Sequence, residues 1–119
     1  MIFDIQNLTF GIFKKIVECT EILRLSNTKI YFSDDTIAHF EDILPCIPNA
    51  YFIYIFKCCY VSPRTEKMLL LIKRNPKFST FEINYIEGDV DTDKFWEFVV
   101  KNIQPRARVE ICWGYPEIM

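Results

Sequence analysis

The chain has 119 residues, half of them apolar and a quarter charged, which is one ordinary domain's length. Eleven Phe, six Tyr and two Trp against three Gly exclude a disordered, collagen-like or low-complexity chain. The net charge of −2 gives no overall attraction to phosphate backbones, so no nucleic-acid partner is expected.

The first residues carry Asp4 and no basic segment ahead of an apolar core, so no secretory signal is visible. A first helix is expected over 8–18, with Phe10, Phe13, Ile16 and Val17 inward, Lys14 and Lys15 outward, and Gly11 as its weak point. A β-type run follows at 21–26. Ser33 ahead of Asp34 and Asp35 marks a second helix start, with Ile37, Phe40 and Leu44 at i, i+3 and i+7. The next strand is 51–56; the apolar run containing it, 50–56, is far too short to span a bilayer, and no membrane partner is expected. Ser62 followed by Pro63 is an N-cap with proline at the first helical position, and Met68, Leu71 and Ile72 form the stripe of that third helix. The basic stretch from Lys73 to Lys77 suits its C-terminal end. A strand at 80–86 precedes a helix capped by Asp91 or Thr92, in which Phe95 and Val99 flank Trp96, Val100 and Ile103. The last strand is 108–113.

Helix and strand thus alternate four times. Superposing Leu23/Leu25, Ile53/Ile55, Phe81/Ile83 and Val109/Ile111 gives steps of 30, 28 and 28 residues, and Pro48, Pro76 and Pro105 recur ahead of the last three strands. Connections of that length join parallel strands through right-handed crossovers. The expected fold is α/β: a short right-handed β/α solenoid with about four parallel strands on one side and helices on the other. The whole chain, 1–119, forms one domain of units 8–32, 33–61, 62–91 and 92–113 with a tail 114–119. The alternative is a small doubly wound parallel sheet. Outward strand positions discriminate, because a doubly wound sheet covers both faces with apolar residues. Arg24, Tyr54, Glu82 and Glu110 occupy them, and three are charged. Phe52, Tyr54 and Phe56 mark either a binding patch or a covered strand.

In this register the units resemble divergent leucine-rich repeats of the long, helix-containing kind, with consensus L-x-x-L-x-L-x-x-N. Ile22-Leu23-Arg24-Leu25-Ser26-Asn27 and Phe81-Glu82-Ile83-Asn84 carry the L-x-L core, and Asn27 alone supplies the asparagine. The unit length and the prolines before the strands are similar to the repeats that follow the F-box in substrate-receptor proteins, the nematode F-box-associated families among them. The N-terminus has no L-P-x-x-x-x-x-I-L signature of the F-box itself. The resemblance implies a non-catalytic protein-interaction module, the substrate-recognition part of a ubiquitin-ligase adaptor without its ligase-docking part.

Motifs for other chemistry are missing. Gly11, Gly88 and Gly114 compose no phosphate-binding loop. His39 is the sole histidine; Cys46, seven residues on, is its one nearby thiol, and no zinc-ligand spacing exists. The run Asp89-Val90-Asp91-Thr92-Asp93 begins like a calcium loop, but Lys94 stands where glycine is needed and Val100 where glutamate is needed. Cys19, Cys46, Cys58, Cys59 and Cys112 are odd in number and make no disulfide framework, so reduced thiols and an intracellular location are expected. Neither cofactor nor metal is expected. Protein recognition is assigned to Arg24, Tyr54, Phe56, Glu82, Asn84 and Glu110, with Tyr60 and Tyr85 as further aromatics; the carboxylates favour a protein over a nucleic acid. An enzyme or regulatory domain would instead work at the strand carboxyl ends, near Asn27, Cys58, Cys59, Glu87 and Trp113.

Overall fold

The structure, a computed structural model, describes residues 1–4 and 7–114. In chain order its elements are β1 (Ile2–Phe3), β2 (Asn7–Thr9), α1 (Phe10–Val17), β3 (Ile22–Ser26), β4 (Lys29–Tyr31) and α2 (Phe40–Ile43), which runs into a 3-10 turn at Leu44–Cys46. Then come β5 (Phe52–Phe56), β6 (Tyr60–Val61), α3 (Pro63–Leu69), β7 (Phe78–Gly88), α4 (Thr92–Lys101) and β8 (Ile103–Trp113). The main sheet is parallel, with β1, β3, β5, β7 and β8 side by side in sequence order and β6 extending along β7. A second parallel ladder joins β2 to β4.

The expected register is the observed one. Leu23 pairs with Ile53, Ile53 with Phe81 and Phe81 with Val109; Leu25, Ile55, Ile83 and Ile111 form the next row. These residues of β3, β5 and β7 are fully buried, while their alternate neighbours are not. The helices cover that same buried side. Phe40 of α2 and Phe95 and Phe98 of α4 place their rings 6.1, 6.4 and 6.4 Å from Phe81. Phe13 of α1 lies 6.0 Å from Phe3 in the same apolar cluster. Each such ring removed from water contributes about 1.5–3 kcal/mol. A doubly wound sheet needs a second buried face, and the alternating burial of β3 and β5 provides only one. The result is an α/β protein with a parallel sheet and, among the described residues, four α-helices, none long and apolar enough to cross a membrane.

Helix boundaries differ from expectation for local reasons. Leu8 pairs with Ile30 in the second ladder, so α1 starts only at Phe10, and Ile16 is 43% exposed, not inward. Ser33 caps nothing. Asp34 accepts hydrogen bonds from the Thr36 amide (3.1 Å) and hydroxyl (2.6 Å), which hold its carboxyl below the usual range, and this turn outcompetes helix. Helix α2 therefore begins after His39. Helix α3 is capped by Ser62 as expected, but its buried apolar residue is Leu69, and Leu71 is 80% exposed beyond its end. Asp91 caps α4 by accepting from the Asp93 and Lys94 amides. Trp96 and Val100 point away from the core, where Phe98 is buried instead.

Two polar side chains tie the loops ahead of the strands. Arg74, only 8% exposed, donates to the carbonyls of Ile47 and Ala50 at 2.8 Å and of Leu44 at 3.4 Å, and its guanidinium lies 4.5 Å from the Phe78 ring centroid. It is an internal tie, not the solvated helix end expected for the basic stretch. Asn102, one unit later, accepts from the Arg74 amide at 2.7 Å and donates to the Phe98 carbonyl at 2.8 Å.

Candidate functional site

Because side chains alternate along a strand, burying one row of each repeat forces the next row to the opposite face. Parallel pairing then stacks equivalent positions about 4.8 Å apart. Arg24, Tyr54, Glu82 and Glu110 form one continuous row across four strands. Ile22, Phe52, Thr80 and Arg108 form the row below, and Ser26, Phe56 and Asn84 the row above. All six residues assigned from the sequence therefore lie on one face. None of them is buried.

The face is organised by contacts within it. The rings of Tyr54 and Phe56 stack in parallel, 6.4 Å apart and 7° from coplanar. Tyr85 meets Phe56 edge-on at 5.5 Å. The Arg24 guanidinium sits 5.0 Å from the centroid of Phe52, and the Lys57 ammonium 5.4 Å from that of Phe56. Arg108 pairs through Nε with Glu82, whose side chain keeps 13% exposure. Arg24, Phe52, Tyr54, Thr80, Glu82 and Arg108 together line a shallow depression. Sequence reasoning left out Thr80, Lys57 and Arg108, and named Phe52 as an outward aromatic without assigning it to recognition. The alternation that found Tyr54 also contains Phe52 and Thr80, and Arg108 stands two residues before Glu110. Tyr60 lies apart on β6, where it pairs with Glu87.

The strand carboxyl ends look different. Asn27, Lys57 and Tyr85 each leave their strand core with positive φ, at 51°, 61° and 65°. The following positions, Thr28, Cys58 and Ile86, are buried at 1%, 2% and 1%. The repeated buried position is thus Thr28, and Asn27, taken from the sequence as the consensus asparagine, is exposed. The Cys58 thiol is pushed up by burial, and hydrogen bonds from the Thr28, Phe56 and Asn27 backbone only partly offset this. Cys59, fully buried, is pushed well above the ordinary value by desolvation and then by neighbouring Cys58 and Glu41. Such thiols stay protonated and are poor nucleophiles near neutral pH.

His39 does not meet Cys46 in a nucleophile pair. Its Nδ1 lies 3.8 Å from buried Glu41, while the Cys46 thiol is within 3.5 Å of the Asp42 carbonyl. Glu41 accepts from the Thr65 hydroxyl at 2.7 Å and meets Arg64 at 3.4 Å, so the cluster fastens the start of α2 to that of α3. Among the described residues no three His, Cys, Asp or Glu side chains are placed to share a metal ion. Comparison with family models, curated proteins and solved structures finds no match to this chain.

Proposed function

We propose that this chain is a short leucine-rich-repeat-like β/α solenoid serving as a non-catalytic protein-recognition module. The observation that carries the reading is the row Arg24–Tyr54–Glu82–Glu110, flanked by Phe52 and Phe56, on the sheet face opposite the core. Aromatic and arginine side chains, held by stacking and ion pairs before any partner arrives, are the residue types that anchor protein interfaces. The repeated buried pattern supports the leucine-rich-repeat likeness. Leu23, Leu25 and Thr28, then Ile53, Ile55 and Cys58, then Phe81, Ile83 and Ile86 follow L-x-L-x-x-[N/C] spacing, with Cys58 a residue that the consensus itself allows. In this reading the chain corresponds to the repeat part of an F-box-type adaptor, and its partner is an intracellular protein.

The test places a photo-crosslinking residue at Ser26, on the open face, or at Lys14, on α1. A protein captured from Ser26 and not from Lys14 is expected, and combining Tyr54→Ala with Glu82→Ala should reduce that capture at least about tenfold. Unchanged capture with an unchanged thermal melt would assign recognition elsewhere.

A further inference from the structure

Strand β8 is the outer strand of the main sheet among the described residues. The Gly114 amide donates to the Ile86 carbonyl at 2.9 Å, and this sets the parity of the strand. Arg108, Glu110 and Cys112 share that parity and turn their backbone groups toward β7. Ala107, Val109, Ile111 and Trp113 turn theirs away, leaving a row of donors and acceptors unpaired among the described residues. The apolar layer behind this edge is also incomplete. Val109, Ile111 and Trp113 are only half-buried, whereas their counterparts Phe81 and Ile83 in β7 are fully buried. On α4, Lys94 reaches Glu66 of α3 at 3.8 Å. By helical geometry Trp96 and Val100, 42% and 67% exposed, lie on the opposite flank, above the open edge.

We propose that this edge pairs with a second copy of the chain, β8 against β8 in antiparallel register, around a two-fold axis at Val109. Charge complementarity selects this occupant. The register sets Ala107 against the partner's Ile111 and Val109 against the partner's Val109, all with outward-turned backbone groups, so six hydrogen bonds form. It sets Arg108 against the partner's Glu110, and Glu110 against the partner's Arg108. Those two pairs are the non-hydrogen-bonded ones, in which side chains come closest. Pro105, which has no N–H, falls opposite the partner's Trp113 and ends the ladder. The same contact brings Trp96 and Val100 of the two copies together over the joined sheet. Head-to-tail growth is the competing assembly, but β1 offers only two residues to β8 and that contact does not close. The dimer does not depend on what the open face recognises.

Sedimentation equilibrium of the full chain tests the proposal, with circular dichroism melts to confirm folding. The wild type is expected to be a dimer. Glu110→Arg and Arg108→Glu, each alone, set like charges opposite each other twice per dimer and should weaken self-association at least about tenfold. Mixing the two variants should restore a dimer, because each then faces its opposite. Glu82 pairs in register with Glu110, so Glu110→Arg relieves a repulsion inside the protomer even as it removes the stabilisation that dimerisation supplies, and the variant should keep a single cooperative melt. A monomeric wild type, a species that grows without limit with concentration, a dimer indifferent to both charges, or a mixture that stays monomeric would each overturn the proposal.

Discussion

Arg74 shows what single residues could and could not disclose. In the sequence it belongs to a basic stretch suited to a solvated helix end. In the fold its charge is buried without a carboxylate; its two terminal nitrogens donate to three carbonyls and its plane lies near an aromatic ring, while the buried Nε has no hydrogen-bond partner. Nothing local encodes that, because the acceptors lie 24 to 30 residues away. The cysteines were legible in kind, since apolar neighbours mark a buried thiol, but Cys19 and Cys112 are exposed. A thiol reagent near neutral pH should therefore modify Cys19 and Cys112 rapidly in the native protein, and Cys46, Cys58 and Cys59 only after denaturation. Burial raises the folded pKa of all three above the ordinary 9.0. The unfolded chain then releases these protons first, so stability is full below about pH 9 and declines as pH rises beyond it. Chemical denaturation across that range reads the slope, and rapid modification of all five thiols in the native state would refute the burial.

At the scale of elements, strands were more legible than helices. Period-2 alternation survives in any parallel strand with one covered face, which is why Leu23, Ile53, Phe81 and Val109 aligned correctly. Helix ends depend on local competition, such as the Asp34–Thr36 turn, and on which flank meets a neighbour, as for Trp96. The irregularities of β7 and β8 were invisible. Two register shifts separate Phe78 from Thr80 and Ile83 from Ile86 along the ladder, and Pro105 and Arg106 (φ 64°) fall in the first. Pro105, counted from the sequence as a residue ahead of the strand, sits within it. Gly88 closes β7 at φ +124°, where a Cβ would overlap the Val61 carbonyl. Gly88→Ala should cost about 1–3 kcal/mol through backbone strain and loosen the Tyr60–Val61 pairing. Urea denaturation measures the first effect and amide exchange in β6 the second; a neutral substitution would mean that β6 is held by other contacts.

For the whole molecule, the main-sheet strands β1, β3, β5, β7 and β8 lie in space in the order they have in the chain. That much followed from the near-constant step, whereas the second ladder between Asn7–Thr9 and Lys29–Tyr31 did not, because three-residue strands carry too little pattern. Stability in such a stack rises toward the middle, where each layer has two neighbours. Amide exchange should be slowest in β5 and β7 and faster in β1. In the Glu110→Arg variant, Val109 and Ile111 should exchange much faster than Glu110 and Cys112 beside them; equal protection of all four would contradict the assigned parity. The sequential parallel order has a mechanical consequence as well. Tension applied between β1 and β8 meets the layers in series, so they can yield one after another at separate forces. Arg74, clamping the loop before β5 to the segment before β7, would then act as a rip-stop, halting a tear that starts at either edge before it crosses the middle.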